Sequence, residues 1–332
     1  MQENKQDKYE FISEKIKEKP VNKKKLVYHV CFVVLLAVLF GIVASVTFVL
    51  CQPKMDDLLH PKEDPTITIP KDEPEQETET EEPDTETETN EPDSEAQIVY
   101  EQLTLADFQT LQNEMYAIGK QANKFIVAVT GVKSNTDWFN NAYESKGQGS
   151  GIIIANSGQE LLILTERKVI AGASSVYVTF VNDTSVEASI KKYDGNTGIT
   201  VLSVPVDEID NDTMNLISVA GLGNSLAITQ GTLALAVGSP LGTNYSILTG
   251  NITSSAYSIS TIDANYDIFT TDIVGSKNGS GALINLNGEV IGLVTQGYSS
   301  EGDQNTLTAI SISELKPVIE MLSNNKDIPY IG

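Results

Sequence analysis

Histidine and cysteine, the side chains that most often act as base and nucleophile, occur only at His29, His60, Cys31 and Cys51. From Pro61 to Gly332 there is no imidazole and no thiol, which removes Cys–His chemistry and any zinc centre built from clustered Cys and His. The glycines of GSGALINLNG form no strand-to-helix phosphate cradle, and no lysine follows them at P-loop spacing. Two short stretches, LTERKVIAGA (164–173) and NGSG (278–281), carry polar side chains of interest, Lys168 and Ser280. Taken alone, Lys168 in the first is a solvated lysine beside Arg167 and Glu166, and Ser280 in the second is a turn serine. Neither a cofactor nor a metal is implied.

The chain is strongly acidic. Of its 332 residues, 45 are Asp or Glu against 22 Lys or Arg, for a net charge of −23. Much of the excess lies between Asp72 and Glu95, and the only arginine is Arg167. Such a surface has no counterion-release drive toward a phosphate backbone, so nucleic acid is not an expected partner.

The N-terminal part divides by composition. Residues 1–26 are polar and basic, with Lys15, Lys17, Lys19, Lys23, Lys24 and Lys25, and are expected in the cytoplasm by the positive-inside rule. Residues 27–51 are almost continuously apolar, long enough for one transmembrane helix and longer than the core of a cleavable signal peptide. A lipid anchor at Cys51 is disfavoured by the leucine before it. Residues 52–97, which include EQETETEEPDTETETNEPDSE, offer almost nothing to bury and are expected to be a disordered, self-repelling linker. The expected location is therefore the plasma membrane, single-pass, with residues 98–332 as an extracytoplasmic domain.

Within that domain, LTLADFQTLQNEMYAIGKQANK places Leu103, Leu105, Phe108, Leu111, Met115 and Ile118 at helical spacing. About a dozen short β-branched runs follow, including FIVAVTGV, SGIIIAN, ELLILT, LALAVGSP, GALINL and EVIGLVTQG. They are separated by turns such as NSGQ, VNDTS and NLNGE, the pattern of an all-β sandwich or barrel. A terminal helix, SELKPVIEML, is expected to start with Ser313 as its N-cap.

The order and phrasing of these runs resemble the protease domain of the HtrA/DegP family of trypsin-like serine proteases, from about Phe125 to Leu322. GSGIII is similar to the strand before that family's catalytic histidine, and LTERKVIAGA to the segment that carries it. VYVTFVNDTSVEASIKKYDGNTGITVLSV is similar to the segment around its aspartate, and TTDIVGSKNGSGALINLNGEVIGL to the nucleophile region. The resemblance implies a double six-stranded β-barrel with its active site in the cleft between barrels.

The same resemblance puts Lys168 at the histidine position and Gly198 at the aspartate position. At the nucleophile, counting forward from Thr271-Asp272 reaches Ser280, whereas counting back from ALINLNG reaches Gly279. In such a triad the histidine takes the serine's proton, the aspartate orients the histidine and backbone amides hold the oxyanion. With Lys168 and Gly198 in those places, the expectation is a pseudoprotease with vestigial positions at Lys168, Gly198, Gly279 and Ser280. The implied partner is a protein or peptide at the cell envelope. One alternative is an active endopeptidase in which a desolvated Lys168 serves as base for Ser280. Another is a structural unit that forms a homo-oligomer.

Two further features bear on partners. Trp138 and Phe139 fall in a loop between the first two strands, as a packing cluster or a partner contact. The ending DIPYIG is similar to the entry of a PDZ domain, and a PDZ-dependent peptide sensor is not expected of the sequence as it stands.

Overall fold

A computed structural model describes residues 23–59, 65–73, 104–136, 142–261, 264–299 and 305–327. Residues 1–64 and 65–332 form two compact units. The first holds helix α1 (Lys23–Leu59), whose described apolar side chains, Phe32, Leu36 and Phe40 among them, are exposed. Among the described residues no helix is long and apolar enough to cross a membrane.

The second unit opens with an extended segment, 65–73, and then helix α2 (Leu105–Ala122). Thr104 and Asp107 form a capping box at its start, each side chain serving the other's backbone N–H. Only the C-terminal half of its apolar face is covered. Met115, Gly119 and Ala122 are buried, while Leu105, Phe108 and Leu111 are exposed.

The strands that follow close into two six-stranded barrels. The first contains β1 (Ile126–Thr136), β2 (Ala142–Asn156) and β3 (Glu160–Glu166), followed by a single helical turn, α3 (Arg167–Ile170). It continues through β4 (Ser175–Thr179), β5 (Ser185–Tyr193) and β6 (Ile199–Pro205). Its order is β1-β2-β3-β6-β5-β4, and β4 returns to β1. A short helix, α4 (Asn211–Leu216), lies in the connection to the second barrel. That barrel holds β7 (Leu233–Ser239), β8 (Ser246–Ser260), β9 (Asn265–Val274), β10 (Ser280–Ile284), β11 (Val290–Val294) and β12 (Thr306–Ser311). Closure leaves no free sheet edge, and the β-branched runs seen in the sequence fill the interiors. Phe180, Tyr266 and Phe269 are the largest side chains so buried, each contributing about 1.5–3 kcal/mol of transfer free energy.

The last helix, α5 (Ile312–Ser323), packs against this body through Leu315, Ile319 and Leu322. Ser313 is not its N-cap. Ser311 stands there without a side-chain capping bond, its hydroxyl paired with Ser225 Oγ at 2.7 Å, and the Ser313 hydroxyl accepts from Ser225 N at 2.8 Å. The outer side of α5 receives segment 65–73, which the sequence reading assigns to the linker. Asn324 clamps the backbone of Ile67, accepting from its N–H at 2.9 Å and donating to its carbonyl at 2.7 Å. Glu320 accepts from Ile69 N, and the Ile69 side chain is buried. Asp72 closes the contact as a two-oxygen partner of Lys316 Nζ, at 2.8 and 2.7 Å. Segment 65–73 of the linker is thus an ordered strap, because Ile69 and Asp72 find matched partners on α5, while residues 52–59 belong to α1.

Glu314 on α5 accepts from Asp267 N, and its carboxyl is raised to about 7 by burial and by the Asp267 charge beside it. The folded state therefore holds this proton more tightly than the unfolded chain. Stability is greatest below the unfolded pKa and falls as pH rises to about 7. Glu314→Gln is expected to flatten that fall. The side chain is partly exposed and screened, so the change should stabilise the protein at pH 8 by about 1 kcal/mol relative to pH 5, measured by urea unfolding at both values.

Candidate functional site

The cleft between the barrels is built around the turn α3. Strand β3 delivers Thr165 and Glu166 to the barrel rim, and buried Val169 and Ile170 pin the turn that carries Lys168 outward. The seat is tight: a Cβ at Gly147 would lie 2.5 Å from Val169 O, and one at Gly149 would lie 2.5 Å from its Cγ2. The turn can approach β2 only where side chains are missing.

Beside it stands Gly198, whose carbonyl accepts from Arg167 N at 2.8 Å. Its φ of +71° suits glycine, and a Cβ there would meet nothing within 4 Å. The nearby carboxylate of Asp194 is committed to the loop itself. It is 1% exposed and accepts from Asn196 N at 3.1 Å, Thr197 N at 2.9 Å and Thr197 Oγ1 at 2.6 Å.

Glu166, which the sequence reading treated only as a neighbour of Lys168, is the buried carboxylate of the cleft. It is 6% exposed, and its Oε1 accepts from Thr295 Oγ1 of the second barrel at 2.7 Å. Lys168 Nζ pairs with the Glu166 Oε2 at 2.9 Å. Burial pushes the Glu166 carboxyl above the usual carboxylate range, and the Lys168 charge and the Thr295 hydroxyl pull it back. The Lys168 side chain is 45% exposed, so it does not sit in the apolar pocket that a lysine base requires. Arg167 turns the other way and stacks over Tyr193, 4.0 Å from the ring centroid.

Across the cleft, Ser280 is the first residue of β10 and 1% exposed. Its Oγ accepts from Ser150 N of the first barrel at 2.9 Å. Among the described residues no hydrogen bond joins Ser280 to Lys168. Gly279 has no room for a side chain, since a Cβ would lie 2.7 Å from Pro240 O and 3.0 Å from Ser276 O. Its N–H is spent on Ser276 O at 2.7 Å rather than left open for an oxyanion. The structure thus brings Lys168 and Gly198 to one side of the cleft and Gly279 and Ser280 to the other, without a nucleophile–base contact. Among the described residues no group of three His, Cys, Asp or Glu could hold a metal ion. Trp138 and Phe139 lie outside the described residues.

Two six-stranded antiparallel barrels with their polar residues facing across one cleft define the trypsin-like class of proteins. Residues 149–293 match the family model of the trypsin-like peptidase domain. It is 29% identical over 195 residues to "Serine protease Do-like HtrA" of Bacillus subtilis (strain 168), covering 56% of this chain and 42% of the relative. It is 30% identical over 203 residues to the protein of the same description from Lactobacillus helveticus, covering 58% and 48%. The chain spans about half the length of these curated relatives. Among solved structures, "HtrA-type protease AlgW with decapeptide" superimposes with a TM-score of 0.52 at 21% identity, over 64% of this chain and 69% of that one.

Proposed function

We propose that this chain is a membrane-anchored, extracytoplasmic trypsin-fold module that binds a protein or peptide without cleaving it. The observation that carries the reading is the state of Ser280: its hydroxyl is buried and accepts from Ser150 N, while the amine at the histidine position, Lys168, is paired with Glu166. A serine nucleophile needs a base within hydrogen-bond reach and free amides for the oxyanion. The lack of a hydrogen bond between Ser280 and Lys168 among the described residues, and the Gly279 N–H bonded to Ser276 O, support the reading. Removing one member of such a triad already leaves only the modest acceleration from binding and oxyanion contacts. The apolar run 27–51, the lysines before it and the exposed apolar side chains of α1 support the anchoring.

The test is labelling of the full chain in detergent with a fluorophosphonate, beside an active serine protease. No adduct at Ser280 is expected in a sample that unfolds cooperatively. An adduct on Ser280 that disappears in both Ser280→Ala and Lys168→Ala would overturn the reading in favour of a Ser-Lys dyad.

A further inference from the structure

Helix α5 and its C-cap carry three polar side chains four residues apart, Lys316, Glu320 and Asn324, which therefore stand one above another along one side. Each grips segment 65–73, and in reverse order, so the segment runs antiparallel to the helix. Asn324 holds both backbone groups of Ile67, Glu320 accepts from Ile69 N at 3.1 Å, and Lys316 donates to both oxygens of Asp72. The site is also fixed from the barrel side. Ser313 Oγ accepts from Ser225 N at 2.8 Å and Ser313 N donates to Ser225 Oγ at 2.9 Å, which aims the Ser313 O–H at Asp72 Oδ2. Two buried donors, Lys316 and Ser313, thus face one carboxylate.

The segment is shaped for this seat by its sequence, PTITIPKDE. Pro70 biases Ile69 toward extended backbone, and the two prolines leave fewer conformations to lose on docking. Pro70 also has no N–H that would need a partner. The Ile69 side chain is buried, while Thr66, Thr68 and Lys71 are exposed. Recognition therefore reads the backbone at 67 and 69, an apolar side chain at 69 and a carboxylate three places on. The acidic run from 74 to 95 offers carboxylates without a large apolar residue, so it does not meet that pattern.

Backbone bonds, one apolar anchor and one paired charge are the means by which folded domains bind separate extended peptides. None of them depends on the chain being continuous from Glu73 to Thr104. In the intact chain the covalent link keeps the segment at an effective concentration of about millimolar, so a joint of about micromolar affinity stays closed. We infer that Lys316, Glu320 and Asn324 form a peptide-binding site whose ligand is the chain's own segment 65–73, a joint that holds the barrel unit to the N-terminal part of the chain even when the backbone between 74 and 103 is cut. The site shares no residue with the cleft and stands whether or not Ser280 is reactive.

The experiment takes the full chain in detergent, tagged at its N-terminus, with a site-specific protease sequence in place of residues 80–86. After cutting, the barrel piece should stay with the tagged piece in gel filtration at about 10 µM, and an excess of free PTITIPKDE peptide should release it. The same peptide carrying Asp72→Ala should compete at least about tenfold more weakly. In the chain, Lys316→Met leaves no buried charge behind, so it should weaken retention at least about tenfold while the barrel still unfolds cooperatively. Lys71→Ala, at an exposed position of the same segment, should leave retention unchanged. Loss of the unsubstituted barrel piece on cutting would overturn the inference by showing that the joint needs the covalent link. So would retention that neither the peptide nor Lys316→Met disturbs, which would put the hold elsewhere. A pull-down from mixed tagged and untagged uncut chains supplies the last check. Untagged chain that is recovered and then released by the peptide would assign the segment to a neighbouring copy and overturn its placement within one chain.

Discussion

Asp72→Ala is expected to destabilise the barrel unit by about 3 kcal/mol, the usual cost of leaving one partner of a buried ion pair alone. Lys316 has a side chain only 4% exposed, and Asp72, at 14%, is its partner from outside α5. An ammonium at that depth has no water to turn to and must lose its charge, distort the helix end or pull the strap open. At about 2–4 °C per kcal/mol for a domain of this size, the melting temperature should drop by about 6–12 °C. Replacing Lys316 by Met in the same molecule should recover much of the loss, because the stem packs and no charge is left over. A fragment confined to residues 98–332 should show the same defect as Asp72→Ala. Urea unfolding of the single and double variants checks this, and a loss below about 0.5 kcal/mol would mean that the strap is only a surface contact.

Gly281→Ala is expected to cost at least 3 kcal/mol and to disrupt the β7–β10 pair. Gly281 lies opposite Gly238 in that ladder and has a φ of +137°, outside the range that side chains tolerate. A Cβ there would fall 2.1 Å from Val237 O, and a carbonyl inside a ladder cannot move aside without breaking the pair. The residue follows Ser280, so the close approach of β7 and β10 is also what draws that serine inward toward Ser150. Gly195→Ala is the matched control. Its position has open space and an ordinary backbone, so its change should stay within about 0.5 kcal/mol in the same denaturation measurement.

Much of the architecture was legible in the sequence because it is written in short-range pattern. Short, turn-bounded apolar runs such as ELLILT and GALINL became β3 and β10, and turns such as NSGQ and NLNGE became hairpin connections. They close with Ser157 N to Glu160 O at 3.0 Å and Asn285 N to Glu289 O at 3.0 Å. The absence of histidine after residue 60 was equally plain, since no fold can add an imidazole. The helix ends were less so. Ser313 has the composition of an N-cap, but a cap is decided by which backbone groups are free, and here the preceding strand already fills that place.

The sequence by itself determined the run of short strands and turns, the acidic charge and the lack of a histidine after residue 60. All are properties of residue type and near-neighbour spacing, while the two-barrel arrangement was implied by the family resemblance. Only the tertiary structure decided which polar groups meet. Glu166 with Thr295, Ser280 with Ser150, and Lys316 with Asp72 are each more than a hundred positions apart. Glu166 looked like a surface acid in ERK until the rim of β3 placed it under the second barrel, where burial raises its pKa. Asp72 looked like the first residue of a repelling acidic run until α5 offered it a lysine with no other partner. In both cases local composition set only the charge. Its burial and its counter-charge came from chain segments that barrel closure and helix packing bring together.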